Sequence, residues 1–165
     1  MKTLRTSTFI LLLIAILPCN ATLQANAAQS DKELFEKFGH VEVRVSVANV
    51  QESQPCKAAA SWRWGAENRC PKTLISTLEV KADDKSIFVP ISAFADLGNP
   101  RTVTIEPGKD KDRFAVVIVG GDAAISYSAR LEFKNNFLTK RLVMHGEFPA
   151  ESWEETIYKF KRGGN

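Results

Sequence analysis

The chain has 165 residues, with 22 basic against 19 acidic side chains and a net charge of +3. That near-neutral balance argues against a nucleic-acid partner, which needs a strongly basic face, and the length fits one domain with a single core. Aromatic residues are only 9% of the chain, so the places where they gather are informative.

The first 27 residues read as a signal peptide rather than as structure. MKTLR supplies a short positive region, FILLLIAIL an apolar core, and Ala25-Asn26-Ala27 a small-x-small cleavage site. An apolar run of about ten residues is too short to cross a bilayer core of roughly 30 Å as a helix. Cleavage after Ala27 would leave residues 28–165 as one exported domain, periplasmic or secreted in a bacterial envelope, with no transmembrane segment. Cys19 would leave with the leader, and Pro18 before it sits where a lipid-attachment motif wants a small residue. Loss of Lys2 and Arg5 would lower the net charge from +3 to +1. The two remaining cysteines, Cys56 and Cys70, are expected to form a disulfide, because an exported chain with an even cysteine count reads as oxidised. That loop would contribute about 3 kcal/mol in the chain-entropy account.

In chain order, SDKELFEKFG is expected as a short helix, with Ser30 as cap, Glu33 in the capping-box place and Gly39 as its end. VEVRVSV then alternates, with Val41, Val43, Val45 and Val47 on one face and Glu42, Arg44 and Ser46 on the other. The cysteine-bracketed CKAAASWRWGAENRC follows, with Trp62 and Trp64 one residue apart. In an extended segment both rings point the same way. Turned outward they would grip a sugar ring or a partner; turned inward they would plug one end of the core.

LISTLEVKADDKSIFVPI reads as a hairpin turning at Ala82-Asp83-Asp84-Lys85, and Pro90, which lacks a ladder N–H, puts its strand at an edge or a bulge. SAFADLGNP is expected as a helical turn capped by Ser92 and stopped by Gly98 and Pro100. RTVTIE and RFAVVIV pair next, and the second, apolar on both faces, is expected to be covered from both sides. After the Gly120-Gly121-Asp122 loop, ISYSARLEF and FLTKRLVMH flank Asn135-Asn136, and EETIYKF ends the fold. About eight antiparallel strands with short turns make an all-β domain, either a small barrel or a two-layer sandwich.

The Asn135-Asn136 hairpin permits a register. A two-residue type I′ turn sets Lys134 opposite Phe137 and Phe133 opposite Leu138. Counting outward, one face collects Tyr127, Ala129, Leu131 and Phe133 against Leu138, Lys140, Leu142 and Met144. The other sets Arg130 opposite Arg141, Ser128 opposite Val143 and Ser126 opposite His145. Facing like charges are destabilising, so something must compensate. One candidate is an anionic ligand or acidic protein partner held by the two guanidinium forks with Ser128 beside them; the other is the last strand, supplying Glu154 or Glu155.

VVIVGGDAAISYSARLEF, residues 116–133, resembles through its Gly-Asp and SYSxR elements a stretch of the periplasmic inhibitors of invertebrate-type lysozyme. The resemblance covers fewer than twenty residues and implies a secreted binding or inhibitory module, with no site residues carried over. No GxSxG elbow, HExxH or P-loop is present, and no cofactor or metal is expected. The reading is therefore a non-enzymatic binding module, with Arg130, Arg141 and Ser128 as its surface and Trp62 and Trp64 behind them. The alternative is a hydrolase or lyase using Asp122, His145 and Glu147. A third is a structural subunit whose edge near Pro90 pairs with another chain.

Overall fold

The valine alternation at the start of the domain sets the architecture. The computed structural model describes residues 32–50, 64–66 and 71–160. The first sheet is antiparallel, in the order β1 (Lys32–Phe38), β2 (Val41–Asn49), β3 (Thr73–Ala82) and β4 (Lys85–Ile87). The second has the order β5 (Pro100–Pro107), β6 (Arg113–Gly120), β7 (Tyr127–Lys134), β8 (Phe137–His145) and β9 (Ser152–Ile157). The chain is all-β, and the two sheets are not closed into a barrel. They enclose one sandwich-like core. Val41, Val43, Val45 and Val47 of β2 lie in it with Val116 and Ile118 of β6 and Ala129 and Leu131 of β7. Burial of an aliphatic side chain of this kind contributes roughly 1.5–3 kcal/mol.

The helix expected near residue 30 is instead the strand β1. A helix this short is marginal without partners, whereas β1 pairs with β2 along its whole length, from Lys32 opposite Val47 to Phe38 opposite Val41. Side chains reward that pairing: Arg44 meets Glu33 at 2.9 Å, Lys37 meets Glu42, and the Arg44 guanidinium lies 4.7 Å above the Phe35 ring. The turn after Pro90 also differs in detail. It is a 3-10 turn over Ile91–Ala93 whose cap position is Pro90, not Ser92.

Both two-residue turns stand where the sequence puts them. Asp83 and Asp84 have φ of 50° and 60°, and Asn135 and Asn136 of 50° and 62°, the left-handed pair that a type I′ turn requires. Lys134 does face Phe137, and Phe133 does face Leu138. One step further the ladder slips, because Lys140 rather than Thr139 lies opposite Glu132. Thr139 is the extra residue of a β-bulge, and its hydroxyl donates to the Glu132 carbonyl at 3.0 Å. Beyond it every residue of β8 changes face relative to a regular hairpin. Leu138, Arg141 and Val143 point inward, and Leu142 and Met144 stand on the outer side.

The β6 strand is buried on both faces. Outside, its Val117 lies between Thr104 of β5 and Arg130 of β7. Inside, Phe114 and Phe133 stack with centroids 4.8 Å apart and planes 7° from parallel. Phe133→Ala should therefore lower unfolding free energy by about 3–5 kcal/mol. Urea denaturation is the measurement, and the slope against urea should stay unchanged.

Candidate functional site

The bulge at Thr139 places a guanidinium inside the protein. Arg141 is 3% exposed and forms an ion pair with Asp96, Nη2 to Oδ2, at 2.6 Å. Its Nη1 donates to the Ser92 carbonyl at 2.9 Å, and Glu154 of β9 lies 3.7 Å from its Nε. Ser92 and Asp96 both belong to the segment that crosses from β4 to β5. Arg141 thus pins the connection between the two sheets onto β8.

The same crossover holds Trp64 and Gly65. The Trp64 N–H donates to the Asp96 carbonyl, and the Gly98 N–H donates to the Trp64 carbonyl, both at 2.9 Å. Asn99, at φ 48°, accepts through Oδ1 from the N–H groups of Lys72 and Thr73 and donates through Nδ2 to the Gly65 carbonyl at 3.0 Å. Its own carbonyl accepts from the Gly121 N–H at 3.1 Å. Gly65 has a φ of +80°, and a Cβ there would lie 2.6 Å from the Gly98 carbonyl oxygen and 2.8 Å from Tyr127 Cε1. Only glycine fits so close an approach. Tyr127 itself is fully buried. Burial raises its phenol pKa well above the ordinary value, and the Asp96 carboxylate adds to the rise against the opposing charges of Arg141 and Arg101.

Four aromatic rings follow from this anchor. Trp64 is buried in the core, which favours the plug over the grip for this ring, and it stacks on Trp153 with centroids 5.1 Å apart and planes 12° from parallel. Trp153 meets His145 edge-on at 5.1 Å, and His145 lies 5.0 Å from Phe148. Trp153 is 38% and Phe148 59% exposed, so the row runs from the core to the surface. His145 Nδ1 accepts from the backbone N–H groups of Glu147 and Phe148 at 3.0 and 3.1 Å. That fixes the ring proton on Nε2.

Arg130 lies on the other face of the sheet. The arginine pair expected from a regular hairpin does not form, because the bulge sets Arg130 opposite Leu142 and Arg141 opposite Leu131. Arg130 is held outside by Glu106 of β5 and by Glu132 of its own strand, the latter at 3.3 Å from Nε. Burial works to lower its pKa, but the hydrogen bonds and charges of Glu106 and then Glu132 outweigh that effect and raise it. Beside it is a depression of about 220 Å³ whose lining includes Gly108, Arg113, Ala115, Arg130, Glu132 and Lys134. Arg113 is paired with Asp110 at 3.1 Å. Ser128 shares the outer face with Arg130, two residues earlier on β7, opposite Met144.

Trp62, Cys56 and Cys70 lie outside the described residues, and the expected disulfide with them. Asp122 precedes a 3-10 turn over Ala123–Ile125, and its carbonyl accepts from the Ile125 N–H at 3.1 Å. Among the described residues no hydrogen bond or ion pair joins Asp122 to His145 or Glu147. No group of three or more His, Cys, Asp or Glu side chains there could hold a metal ion. Sequence reasoning missed Asp96, Asn99, Phe148 and Trp153. Of these, Trp153 carried a usable signal, being a third tryptophan within a glutamate-rich stretch.

Comparison with protein-family models, with curated proteins and with solved structures finds no match for the chain. The short likeness of residues 116–133 therefore assigns no family.

Arg141→Ala should cost about 3 kcal/mol in a chemical-denaturation experiment by leaving Asp96 without its counter-charge, whereas Arg141→Met with Asp96→Leu should recover most of that loss. Tyr127 predicts an alkaline limit. Its folded-state pKa lies above the unfolded value of about 10, so its contribution is complete below that pH and lost as pH rises beyond it. Stability should fall by roughly 1.4 kcal/mol per pH unit above about pH 10. Urea titrations of wild type and Tyr127→Phe should differ by that slope.

Proposed function

We propose that the protein is an exported, non-enzymatic binding module of a bacterial periplasm or secreted fraction, an inhibitor or envelope accessory protein. Its binding surface is the outer face of the five-stranded sheet around Arg130, and its partner is an anionic ligand or an acidic protein surface. The observation that carries this reading is the depression beside Arg130, whose lining brings together Arg113, Arg130 and Lys134; Asp110 pairs with Arg113, and Glu106 and Glu132 with Arg130, while Lys134 has no ion-pair partner among the described residues. Glu106 takes one N–H of Nη1 and Glu132 the Nε N–H, which leaves the second Nη1 proton and both Nη2 protons of the guanidinium as donors. A cation already oriented in this way loses little entropy when a carboxylate or phosphate docks. Ser128 extends the same face.

The hydrolase or lyase alternative needs His145 as a base, with Asp122 and Glu147. With Nδ1 accepting two backbone N–H groups, the other ring nitrogen carries the proton and offers no lone pair to a substrate. That weighs toward binding.

The test is a thermal-shift titration with inorganic phosphate, citrate and hexaglutamate. A ligand at a hundred times its dissociation constant adds about 2.7 kcal/mol, enough to move a melting point visibly. The expected result is a shift that disappears in Arg130→Glu and weakens in Arg130→Gln while both variants stay folded, Arg130→Glu melting lower without ligand because its carboxylate joins those of Glu106 and Glu132. No shift from any of the three, or one unchanged in both variants, overturns the assignment to Arg130.

A further inference from the structure

The connection between β8 and β9 has a chemistry opposite to that of the Arg130 face. From Gly146 to Glu155 the sequence is GEFPAESWEE, with four glutamates and no lysine or arginine. Two of the four are already engaged: Glu154 faces Arg141, and Glu155 pairs with Lys140 at 3.1 Å. Glu147 and Glu151 are exposed, and neither carboxylate has an ion-pair partner among the described residues.

Backbone bonds hold these two residues in one short connection. Phe148-Pro149-Ala150-Glu151 forms a turn closed by the Glu151 N–H on the Phe148 carbonyl at 2.9 Å, with proline in the position that favours it. The hairpin is tied again by the His145 N–H on the Glu151 carbonyl at 3.1 Å. Glu147 is also tethered, because its N–H donates to the His145 ring. Between the two glutamates stands Phe148, at 59% the most open ring of the aromatic row, and Trp153 is open beside His145. Exposed rings on the same short connection as carboxylates without ion pairs suit one kind of group, a cation with an apolar stem or a flat guanidinium. The ring faces attract its charge, and the carboxylates give charge-assisted hydrogen bonds.

We propose that the tip of the β8–β9 hairpin is a docking site for an arginine- or lysine-bearing segment of a partner polypeptide. The inference does not rest on Arg130, and it can stand or fall separately. The net charge of the chain is positive, so its overall field repels a basic peptide and any binding must come from this local arrangement. The rings need little reordering, since the row is stacked onto Trp64 in the core.

The probe is a hexa-arginine peptide titrated into the isotope-labelled protein, with hexaglutamate as the opposite charge. Readouts are amide chemical shifts and the dissociation constant derived from them. Hexa-arginine should move the amides of residues 145–155, with the constant about tenfold weaker in Glu147→Gln/Glu151→Gln, as expected for loss of two charge contacts. Phe148→Ala should weaken it similarly, and because that ring is exposed its melting temperature should stay near wild type. The proposal is overturned if hexa-arginine leaves the tip amides unmoved, if the double glutamine variant binds as wild type, or if hexaglutamate moves the same amides equally. A Phe148→Ala variant that folds and binds unchanged also overturns it, because the rings then have no part. Failure of the Arg130 reading would appear elsewhere, as absent hexaglutamate shifts on the outer face of β7.

Discussion

The buried pair of Arg141 and Asp96 is the constraint on which the rest of the described structure turns. A buried ion pair is weak evidence of stability, since well-packed apolar residues of similar volume do as well or better. Its effect here is geometric. It joins the middle of β8 to the segment that carries the chain from one sheet to the other, and it adds a hydrogen bond to Ser92 five residues from β4. The Asp96 carbonyl then receives Trp64, and Asn99, three residues on, fastens Gly65, Thr73 and Gly121. One crossover is thereby tied to both sheets. Tyr127 fills the space beneath, and Trp64 gives Trp153 a face to stack on.

That arrangement exists because of one extra residue. With Thr139 in a regular ladder, β8 would turn Leu142 and Met144 inward and Arg141 outward, facing Arg130 across the sheet. The bulge exchanges the faces, giving the core Val143 and the buried guanidinium. The repulsion implied by a regular hairpin is removed by separating the two arginines rather than by adding a ligand between them. Each then finds its own carboxylates: Arg141 takes Asp96 with Glu154 nearby, and Arg130 takes Glu106 and Glu132.

What could be read in advance follows the range of each interaction. Period-two alternation and paired turn residues are local, so β2, the positions of both two-residue turns and the inward face of β7 were legible. The bulge was not. Leu138, Lys140, Leu142 and Met144 make a passable alternation of their own, and the partner that favours burial of Arg141 is 45 residues away. For β1 a local signal pointed the wrong way: the Ser30 to Glu33 spacing suits a helix start, but pairing with β2 supplies a full ladder and two cross-strand ion pairs. The aromatic row was half legible. Trp64 stood out at once, yet its neighbours in the row come from the other end of the chain and meet it only through the crossover.

The β7–β8 hairpin also sets the distance between the two surfaces. The Arg130 depression includes Lys134 and Thr139, near the Asn135-Asn136 turn, while the aromatic row begins at His145, at the other end of β8. Six residues of extended strand separate Thr139 from His145, and at roughly 3.3 Å per residue that is about 20 Å. The spacing is rigid, because β8 is paired on both sides, with β7 and with β9. One end of this ruler carries Arg113 and Arg130, each held by its own carboxylates, with Lys134 beside them, and the other carries Glu147 and Glu151, without ion pairs among the described residues, on the same connection as Phe148 and Trp153. A partner that covered both ends would need acidic and basic groups held apart by the same distance. The bulge at Thr139 shapes this layout by keeping Arg141 inside, paired with Asp96 and away from both surfaces.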